Sequence, residues 1–300
     1  MSAKATAANG SHSGPPPEAT SLAELVSSAA RRDPSGITLV SGRSKLTFAE
    51  LDRAVTSMTL ELLDRGVEPG DAIAVLAGTG LEFPILAHAV LRAGAVLVPI
   101  SPSSPPAEAS RLLHAARVEM LLADREHEAA AWQAATTYDP DCGAITLDAN
   151  ARRSKGDQRL DSLLASSEPA PPPQLKAGAP AVILFTSGST THPKGVVHSH
   201  EGLFRNALCV AWEMTSLSRD DVMLGALPLA HSFGFSAVLN ASLLAGAGRA
   251  DVPLRPPRGM EADQDPRHNR AHRGPRDVPA LVLDHRGLAQ HRSPPGGCQR

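Results

Sequence analysis

Between residues 47 and 123, segments with the apolar spacing of a helix alternate with short apolar runs that are typical of strands. Apolar residues recur every three to four positions over residues 51–63, which predicts an amphipathic helix that ends at Gly66. Short apolar runs predict strands and the periodic segments between them predict helices: strands at 72–77, 95–100 and 119–123, helices at 81–93 and 107–117. This rhythm predicts an α/β protein with a doubly wound, mostly parallel sheet.

Two predicted helix starts carry the same polar signature. Ser21 with Glu24 and Thr47 with Glu50 each place a hydroxyl three residues before a carboxylate. In such a capping box, each side chain satisfies a backbone N–H that the helix start leaves unpaired. The sequence therefore predicts helices that begin after Ser21 and after Thr47.

The second half of the chain continues the α/β pattern after a proline-rich break. Residues 168–173 read EPAPPP, which suits neither a helix nor a central strand and predicts a stiff surface linker. We predict these elements after it: a strand at 181–185, a strand at 196–197, a helix at 201–214, a strand at 222–227, and a helix of small residues ending near 248.

Composition sets both ends apart and predicts three regions: a disordered arm at 1–20, a folded region at 21–248 and a tail at 249–300. The tail holds ten Arg and eight Pro but no Lys, Phe, Ile, Tyr or Trp, so we expect no packed core from it. This tail is either a disordered segment or the product of translation outside the original reading frame of a GC-rich gene. We favour the frameshift because the composition changes inside an apparent helix.

Charge and cysteine content limit the classes of function. The formal net charge of -2 gives no reason to expect nucleic acid as a partner, and the Arg-rich tail lacks the aromatic residues of a nucleic-acid arm. Three widely spaced cysteines indicate neither a disulfide framework nor a zinc module, so the cytoplasm is the simplest location. His88 and Arg92 interrupt the longest apolar run, residues 83–100, and we therefore predict no membrane span.

A polar loop directly follows the apolar strand predicted at 181–185. Residues 186–195 read TSGSTTHPKG, with five hydroxyls, two glycines and one lysine. Gly188 and Gly195 would permit positive φ angles, so that N–H groups converge on phosphate oxygens beside the charge of Lys194. An ordinary polar turn is the alternative. The order matches neither a Walker loop nor a kinase glycine-rich loop, and no G-x-S-x-G elbow of a serine hydrolase surrounds its serines.

The string TSGSTTHPKGV resembles the phosphate-binding signature of the adenylate-forming superfamily, which reads roughly YTSGTTGxPKGV. That superfamily holds acyl-CoA synthetases, aryl-CoA ligases, luciferases and the adenylation domains of peptide synthetases. Thr191 departs from the pattern, where Gly is usual, which implies a stiffer loop. Three further segments are similar to the family in order and spacing: LTFAELDRAVTSMTLELLDRGVEPGDAIAVLAGTGLEF, LRAGAVLVPISP and LPLAHSFGF.

The resemblance covers roughly residues 21–248 and implies a fold and a reaction. The fold would be the α/β N-terminal domain of an adenylate-forming ligase, in incomplete form. In such enzymes the carboxylate of a small-molecule acid attacks the α-phosphate of Mg-bound ATP and pyrophosphate leaves. The acyl group then passes from the acyl-adenylate to a thiol, commonly that of coenzyme A. Positioning and charge stabilisation are the protein's main contributions.

The resemblance also implies roles for individual residues. Contacts with the β- and γ-phosphates are implied for Thr186, Ser187, Gly188, Ser189, Thr190, Lys194 and Gly195. His231, in LAHSFG, matches a residue that lines the acyl pocket, and a core histidine is the alternative. His198 and His200 would share one face of a strand, but no third ligand accompanies them, so we predict no metal site.

Three later motifs of the family are missing: a YGxTE motif, a TGD-type Asp and a C-terminal lysine. The only tyrosine, Tyr138, is followed by Asp139, and Lys194 is the last lysine. We therefore expect a chain that is inactive alone. A non-catalytic nucleotide-phosphate-binding module remains an alternative, as does an adenylation domain that delivers to a carrier-protein thiol. The absence of flanking modules favours free coenzyme A.

Overall fold

The computed structural model describes residues 19–139, 143–148, 158–159, 163–164, 175–176, 178–186, 193–251, 282–283 and 289–290. The helices are α1 (Leu22–Arg32), α2 (Phe48–Asp64), α3 (Glu82–Arg92), α4 (Pro106–Ala116), α5 (Glu128–Tyr138), α6 (His200–Leu208) and α7 (Ala241–Ala245). The strands are β1 (Ile37–Ser41), β2 (Ser44–Thr47), β3 (Ala72–Leu76), β4 (Val96–Ile100), β5 (Met120–Asp124), β6 (Gly143–Asp148), β7 (Gln158–Arg159), β8 (Pro180–Thr186), β9 (Lys194–Ser199), β10 (Val222–Gly225), β11 (Gly248–Asp251), β12 (Val282–Leu283) and β13 (Ala289–Gln290). Within this part of the chain, no helix is long and apolar enough to cross a membrane.

Seven strands form the first sheet, in the order β7-β6-β5-β3-β4-β8-β9. Every pairing is parallel except that of β8 with β9, which form an antiparallel hairpin. The chain leaves β3 to build β4 on one side and later adds β5 on the other. This order confirms the α/β prediction of a mostly parallel, doubly wound sheet.

The second sheet has six strands, in the order β13-β12-β10-β11-β1-β2. Its centre is parallel, because β11 pairs in parallel with both β1 and β10. The antiparallel hairpin of β1 and β2 was not predicted from the sequence. Neither strand has a long apolar run, and Leu39 and Leu46 are their fully buried apolar residues.

One of the two predicted capping boxes is confirmed. The Glu50 N–H donates to the Thr47 hydroxyl at 3.2 Å, and the Thr47 N–H donates to the Glu50 carboxylate at 2.8 Å. The box at Ser21 is wrong, because its side chain makes no capping bond. The Glu24 carboxylate instead accepts hydrogen bonds from the N–H and the hydroxyl of Thr20, one residue further back.

Two helical segments adopt the wider π-helical turn. The helix predicted at 201–214 is α-helical only over α6, and it continues as a π-helix over Cys209–Met214. A second π-helix, Gly234–Asn240, leads into α7. Such turns are rare and frequently occur at functional sites.

Strand β11 crosses the predicted boundary at residue 248. It lies between β1 and β10, and its Arg249 side chain is 1% exposed. One Nη atom of Arg249 donates to the carbonyl of Thr79, which follows β3 of the other sheet. Burial lowers the pKa of Arg249 to about 10, so the side chain is charged at neutral pH. The first residues of the Arg-rich segment therefore take part in the packed structure.

Helices α2 and α3 share a polar cluster around the buried Arg92 side chain. The Arg92 guanidinium donates to the Asp52 carboxylate and to the Thr56 hydroxyl, each at 2.6 Å. His88, one turn earlier on α3, is fully buried. Burial, followed by the nearby charge of Arg92, lowers the pKa of His88 to about 3. The imidazole is therefore neutral in the folded protein at neutral pH.

Replacement of Arg249 tests whether β11 belongs to the folded unit. Arg249→Ala opens a cavity and leaves the Thr79 carbonyl without this donor, so we expect unfolding to become easier by about 2–4 kcal/mol. Urea denaturation followed by circular dichroism measures the change. Arg219→Ala removes an exposed arginine and should alter stability by less than about 0.5 kcal/mol. Equal stability of the two variants would contradict the packing of β11.

Stability should fall in weak acid because His88 cannot take up a proton in the folded state. Its folded pKa of about 3 lies below the ordinary 6.5, so below about pH 6.5 the unfolded chain binds the extra proton. We expect His88→Gln to reduce the loss of stability between pH 7 and pH 5 by about 2 kcal/mol, as measured by urea denaturation. His114→Gln, on the exposed surface of α4, should keep the wild-type loss.

Candidate nucleotide-binding site

The β8–β9 hairpin frames the predicted phosphate loop. Strand β8 is inserted beside β4, with Ala181 and Val182 fully buried. Thr186 and Lys194 are Cα partners, so they face each other across the base of the loop. Predicted phosphate-binding residues Ser187, Gly188, Ser189 and Thr190 lie outside the described residues, as does the side chain of Thr186.

Gly195 does not have the positive φ angle that the sequence suggested. It lies within β9 opposite Phe185, and its backbone is not in the left-handed region, so the prediction of a positive φ is wrong here. The strand pairing holds it extended. A Cβ at this position would lie 2.7 Å from Cγ2 of Ile183 and 3.2 Å from Cε1 of Phe185. Glycine therefore lets β9 lie close over the side chains of β8.

Lys194 is the first residue of β9, and its side chain is exposed. It forms no ion pair with any of the described residues. Pairing of β9 with β8 sets the position of its Cα, while its side chain is open to solvent. An accessible ammonium at the base of a loop can therefore bind an anion.

The loop follows the carboxyl end of β8, at the same sheet edge as the carboxyl ends of β3, β4 and β5. Open parallel sheets bind ligands at this edge, where neighbouring connections diverge. A polar cluster that the sequence analysis did not predict also lies here. The Asp124 carboxylate accepts hydrogen bonds from the Gly78 N–H at 2.7 Å, and from the N–H and Nδ1 of His127 at 2.9 and 2.6 Å.

Asp124 thus joins the turn after β3 to the turn after β5. It is the last residue of β5 and is 7% exposed, while His127 precedes α5. In the sequence, the only sign of this polar cluster is an Asp at the end of a strand, three residues before a His. Such a pair predicts no contact with a turn 46 residues earlier, so only the structure identifies the connection to Gly78.

His231 lies in the turn between β10 and the second π-helix. Its side chain is exposed, which excludes the alternative of a core histidine. Its N–H donates to the carbonyl of Pro228, and its own carbonyl accepts from the N–H of Phe235. A Cβ on Gly234 would lie 2.3 Å from that same Pro228 oxygen. Glycine is therefore required where the π-helix meets the turn that presents His231.

The two candidate regions belong to different sheets. Lys194 lies on the seven-stranded sheet, and His231 follows β10 of the six-stranded sheet. Each follows the carboxyl end of a strand that has parallel neighbours, as expected of ligand-binding residues in open sheets. The hydrogen bond from Arg249 to Thr79 connects the two sheets directly.

His198 and His200 do not share a strand face. Strand β9 ends at Ser199, whose hydroxyl caps α6, and His200 is the first residue of that helix. Burial lowers the pKa of His200 to about 4. No group of three or more His, Cys, Asp and Glu side chains that could hold a metal is found in the part of the chain that the structure describes.

These features define an α/β protein whose candidate site residues follow the carboxyl ends of parallel strands. A sequence model of the AMP-binding enzyme family matches residues 26–255. The chain therefore belongs to this family of adenylate-forming enzymes, of which it covers the N-terminal portion. The matched residues include β11 and extend past residue 248.

Two curated relatives differ in kind: one is a tyrocidine synthase and the other a salicylyl-CoA synthase. Tyrocidine synthase 3 of Brevibacillus parabrevis is 29% identical over 220 residues, which are 73% of this chain and 3% of that protein. A salicylyl-CoA synthase / salicylate adenylyltransferase of a Streptomyces species is 31% identical over 238 residues, or 74% of this chain and 42% of that protein.

A solved structure of ATP-bound MatB from Rhodopseudomonas palustris has the same architecture. Its TM-score is 0.66 at 26% identity, over 79% of this chain and 46% of MatB. The chain thus spans less than half the length of these three proteins.

Gly234→Ala tests the close approach that shapes the His231 turn. Because the new methyl group would overlap the Pro228 carbonyl, the turn and the π-helix must separate. We expect the free energy of unfolding to fall by about 1–3 kcal/mol and the NMR resonances of the His231 ring to shift. Ser232→Ala, at an exposed position of the same turn, should change neither. Wild-type stability of Gly234→Ala would contradict the packing.

Proposed function

We propose that this chain carries the phosphate-binding part of an ATP-dependent, carboxylic acid-activating ligase. Its loop, residues 186–195, would bind the β- and γ-phosphates of Mg-ATP, and an acyl-adenylate would be formed with release of pyrophosphate. One observation carries the proposal: Lys194 lies exposed at the base of a loop held between a buried strand and its hairpin partner.

The hairpin suits anion binding for electrostatic and geometric reasons. Lys194 has no acidic partner among the described residues, so its ammonium can pair with a phosphate oxygen without breaking another ion pair. Strand pairing orders the Cα atoms of Thr186 and Lys194 before the ligand binds. This preorganisation lowers the entropy that binding must overcome.

The residues of this chain position the nucleotide rather than react with it. Bound ATP supplies the electrophilic α-phosphorus, and the carboxylate of the acid supplies the nucleophile. Lys194 would hold the terminal phosphates and stabilise the negative charge of the departing pyrophosphate. His231, exposed in its turn, would line the acyl pocket, and Mg would be held chiefly by the phosphate oxygens.

The acyl acceptor is a thiol in this proposal, and coenzyme A is the acceptor that we propose first. The similarity to a salicylyl-CoA synthase supports it, at 31% identity over 238 residues. The similarity to tyrocidine synthase 3 supports the second candidate, a carrier-protein thiol. Presenting the activated acid to both acceptors and measuring thioester formation separates them.

We further propose that the chain does not complete the reaction alone. The sequence lacks the Tyr of the adenine motif, the TGD-type Asp and a lysine after Lys194. We therefore expect the chain to bind Mg-ATP without forming an acyl-adenylate. Exchange of radiolabelled pyrophosphate into ATP with a panel of carboxylic acids measures adenylation, and robust exchange would overturn this part of the proposal.

Lys194→Ala tests the phosphate-binding loop. A charge-assisted hydrogen bond contributes about 1.5–3 kcal/mol, so we expect the affinity for Mg-ATP to fall roughly tenfold to a hundredfold. Isothermal titration calorimetry measures this affinity. Because Lys194 is exposed, the melting temperature without nucleotide should not change.

Lys176→Ala is the matched control, because it removes another exposed lysine just before β8. It should bind Mg-ATP as the wild-type chain does. Equal weakening in the two variants would indicate only a general effect of net charge. No binding by the wild-type chain would overturn the nucleotide proposal itself.

A further inference from the structure

The turn between β3 and α3 is hydrogen-bonded from both sheets. The Asp124 carboxylate, at the end of β5 in the seven-stranded sheet, accepts from the Gly78 N–H at 2.7 Å. The Arg249 guanidinium, on β11 of the six-stranded sheet, donates to the carbonyl of Thr79, the next residue. We propose that Asp124 and Arg249 are positioning residues, which hold this turn from two sides and thereby set how the two sheets are aligned.

The sequence of the turn gives it little stiffness of its own. Residues 78–80 read Gly-Thr-Gly, and glycine restricts the backbone least of all residues. They lie between β3, which ends at Leu76, and α3, which begins at Glu82. The conformation of such a segment depends on the bonds that reach it from outside, and Asp124 and Arg249 supply two of them.

Both side chains are themselves anchored. Asp124 is 7% exposed, and its carboxylate also accepts from the N–H and Nδ1 of His127, which precedes α5. Arg249 is 1% exposed, and its strand is paired with β1 and β10. Hydrogen bonds that involve a charged group are about twice as strong as those between neutral groups. The turn is therefore fastened to one strand of each sheet.

Apolar packing between the sheets does not by itself fix their alignment. One hydrophobic core contains Ile73 of β3 together with Leu39 of β1 and Met223 of β10. Burial of apolar surface is non-directional, so it favours contact between the sheets more than any single alignment of them. A hydrogen bond weakens steeply when its angle changes, so the bond from Arg249 to Thr79 favours one alignment.

This alignment affects the candidate site, because its two regions lie on different sheets. From Thr79, hydrogen-bonded strand pairs lead through β3, β4 and β8 to Lys194 on β9. From Arg249, the pairing of β11 with β10 leads to the turn that carries His231. In the function proposed above, on which this step rests, the two hydrogen bonds to the β3–α3 turn set the distance between the phosphate loop and the acyl pocket.

A distance between spin labels on the two sheets tests the proposal. Labels are attached to Val197→Cys on β9 and Leu227→Cys after β10, at positions that are 58% and 46% exposed. In every sample, serine replaces the native cysteines Cys142, Cys209 and Cys298. Double electron–electron resonance on the full chain gives the distance distribution. We expect Asp124→Ala and Arg249→Met each to broaden it or to shift its maximum by about 1–2 Å, the scale on which packed elements move past each other.

The matched controls are Asp220→Ala and Arg219→Met, which make the same replacements at exposed positions before β10. Both should leave the distance distribution of the labelled parent chain unchanged. Circular dichroism checks folding, and all distances are measured well below the melting temperature, so that a loss of stability alone does not alter them.

An unchanged distribution in Asp124→Ala or in Arg249→Met would overturn the proposal, and so would an equal change in the controls. If one of the two variants does not fold, the other decides. Because no ligand is added, the result is independent of nucleotide binding. A chain that fails to bind Mg-ATP would contradict the proposed function, whereas only the label distance decides the alignment of the sheets.

Discussion

The parallel pairing of β3, β4 and β5 is the constraint on which the rest of the structure depends. Parallel strands cannot be joined by tight turns, so helices must cross over both faces, and the strands between them must be apolar throughout. All of β4 is buried, as are four of the five residues of β3. The carboxyl ends of these strands then meet at one edge, where the helices cannot cover the connecting loops.

Polar contacts and the candidate phosphate loop lie at this edge of the sheet. Asp124 ties the turn after β5 to Gly78 after β3, and the loop between Thr186 and Lys194 follows β8 at the same edge. Arg249 reaches from the second sheet to the carbonyl of Thr79 in one of these turns. Its burial makes β11 part of the framework that supports the edge, although composition alone assigned that residue to the tail.

Much of the fold could be predicted because local patterns and tertiary packing agree. The boundaries of α3, β4 and β5 lie within one residue of the predicted ones, since each element is an apolar run with clear ends. The hairpin of β1 and β2 was missed because its strands are short and half exposed. At the candidate site, two motifs predicted roles for Lys194 and His231, but no spacing in the sequence could show that Asp124 contacts Gly78, 46 residues earlier.

The sequence by itself determined the α/β class, the family resemblance and the loop between β8 and β9, because apolar periodicity and a contiguous motif are local properties. Only the tertiary structure decided why Gly195 and Gly234 are glycines, since the reason is close contact with Ile183 and Pro228. It also decided that Arg249 is buried. These features depend on which strands become neighbours, and neighbours distant in the chain leave no local pattern.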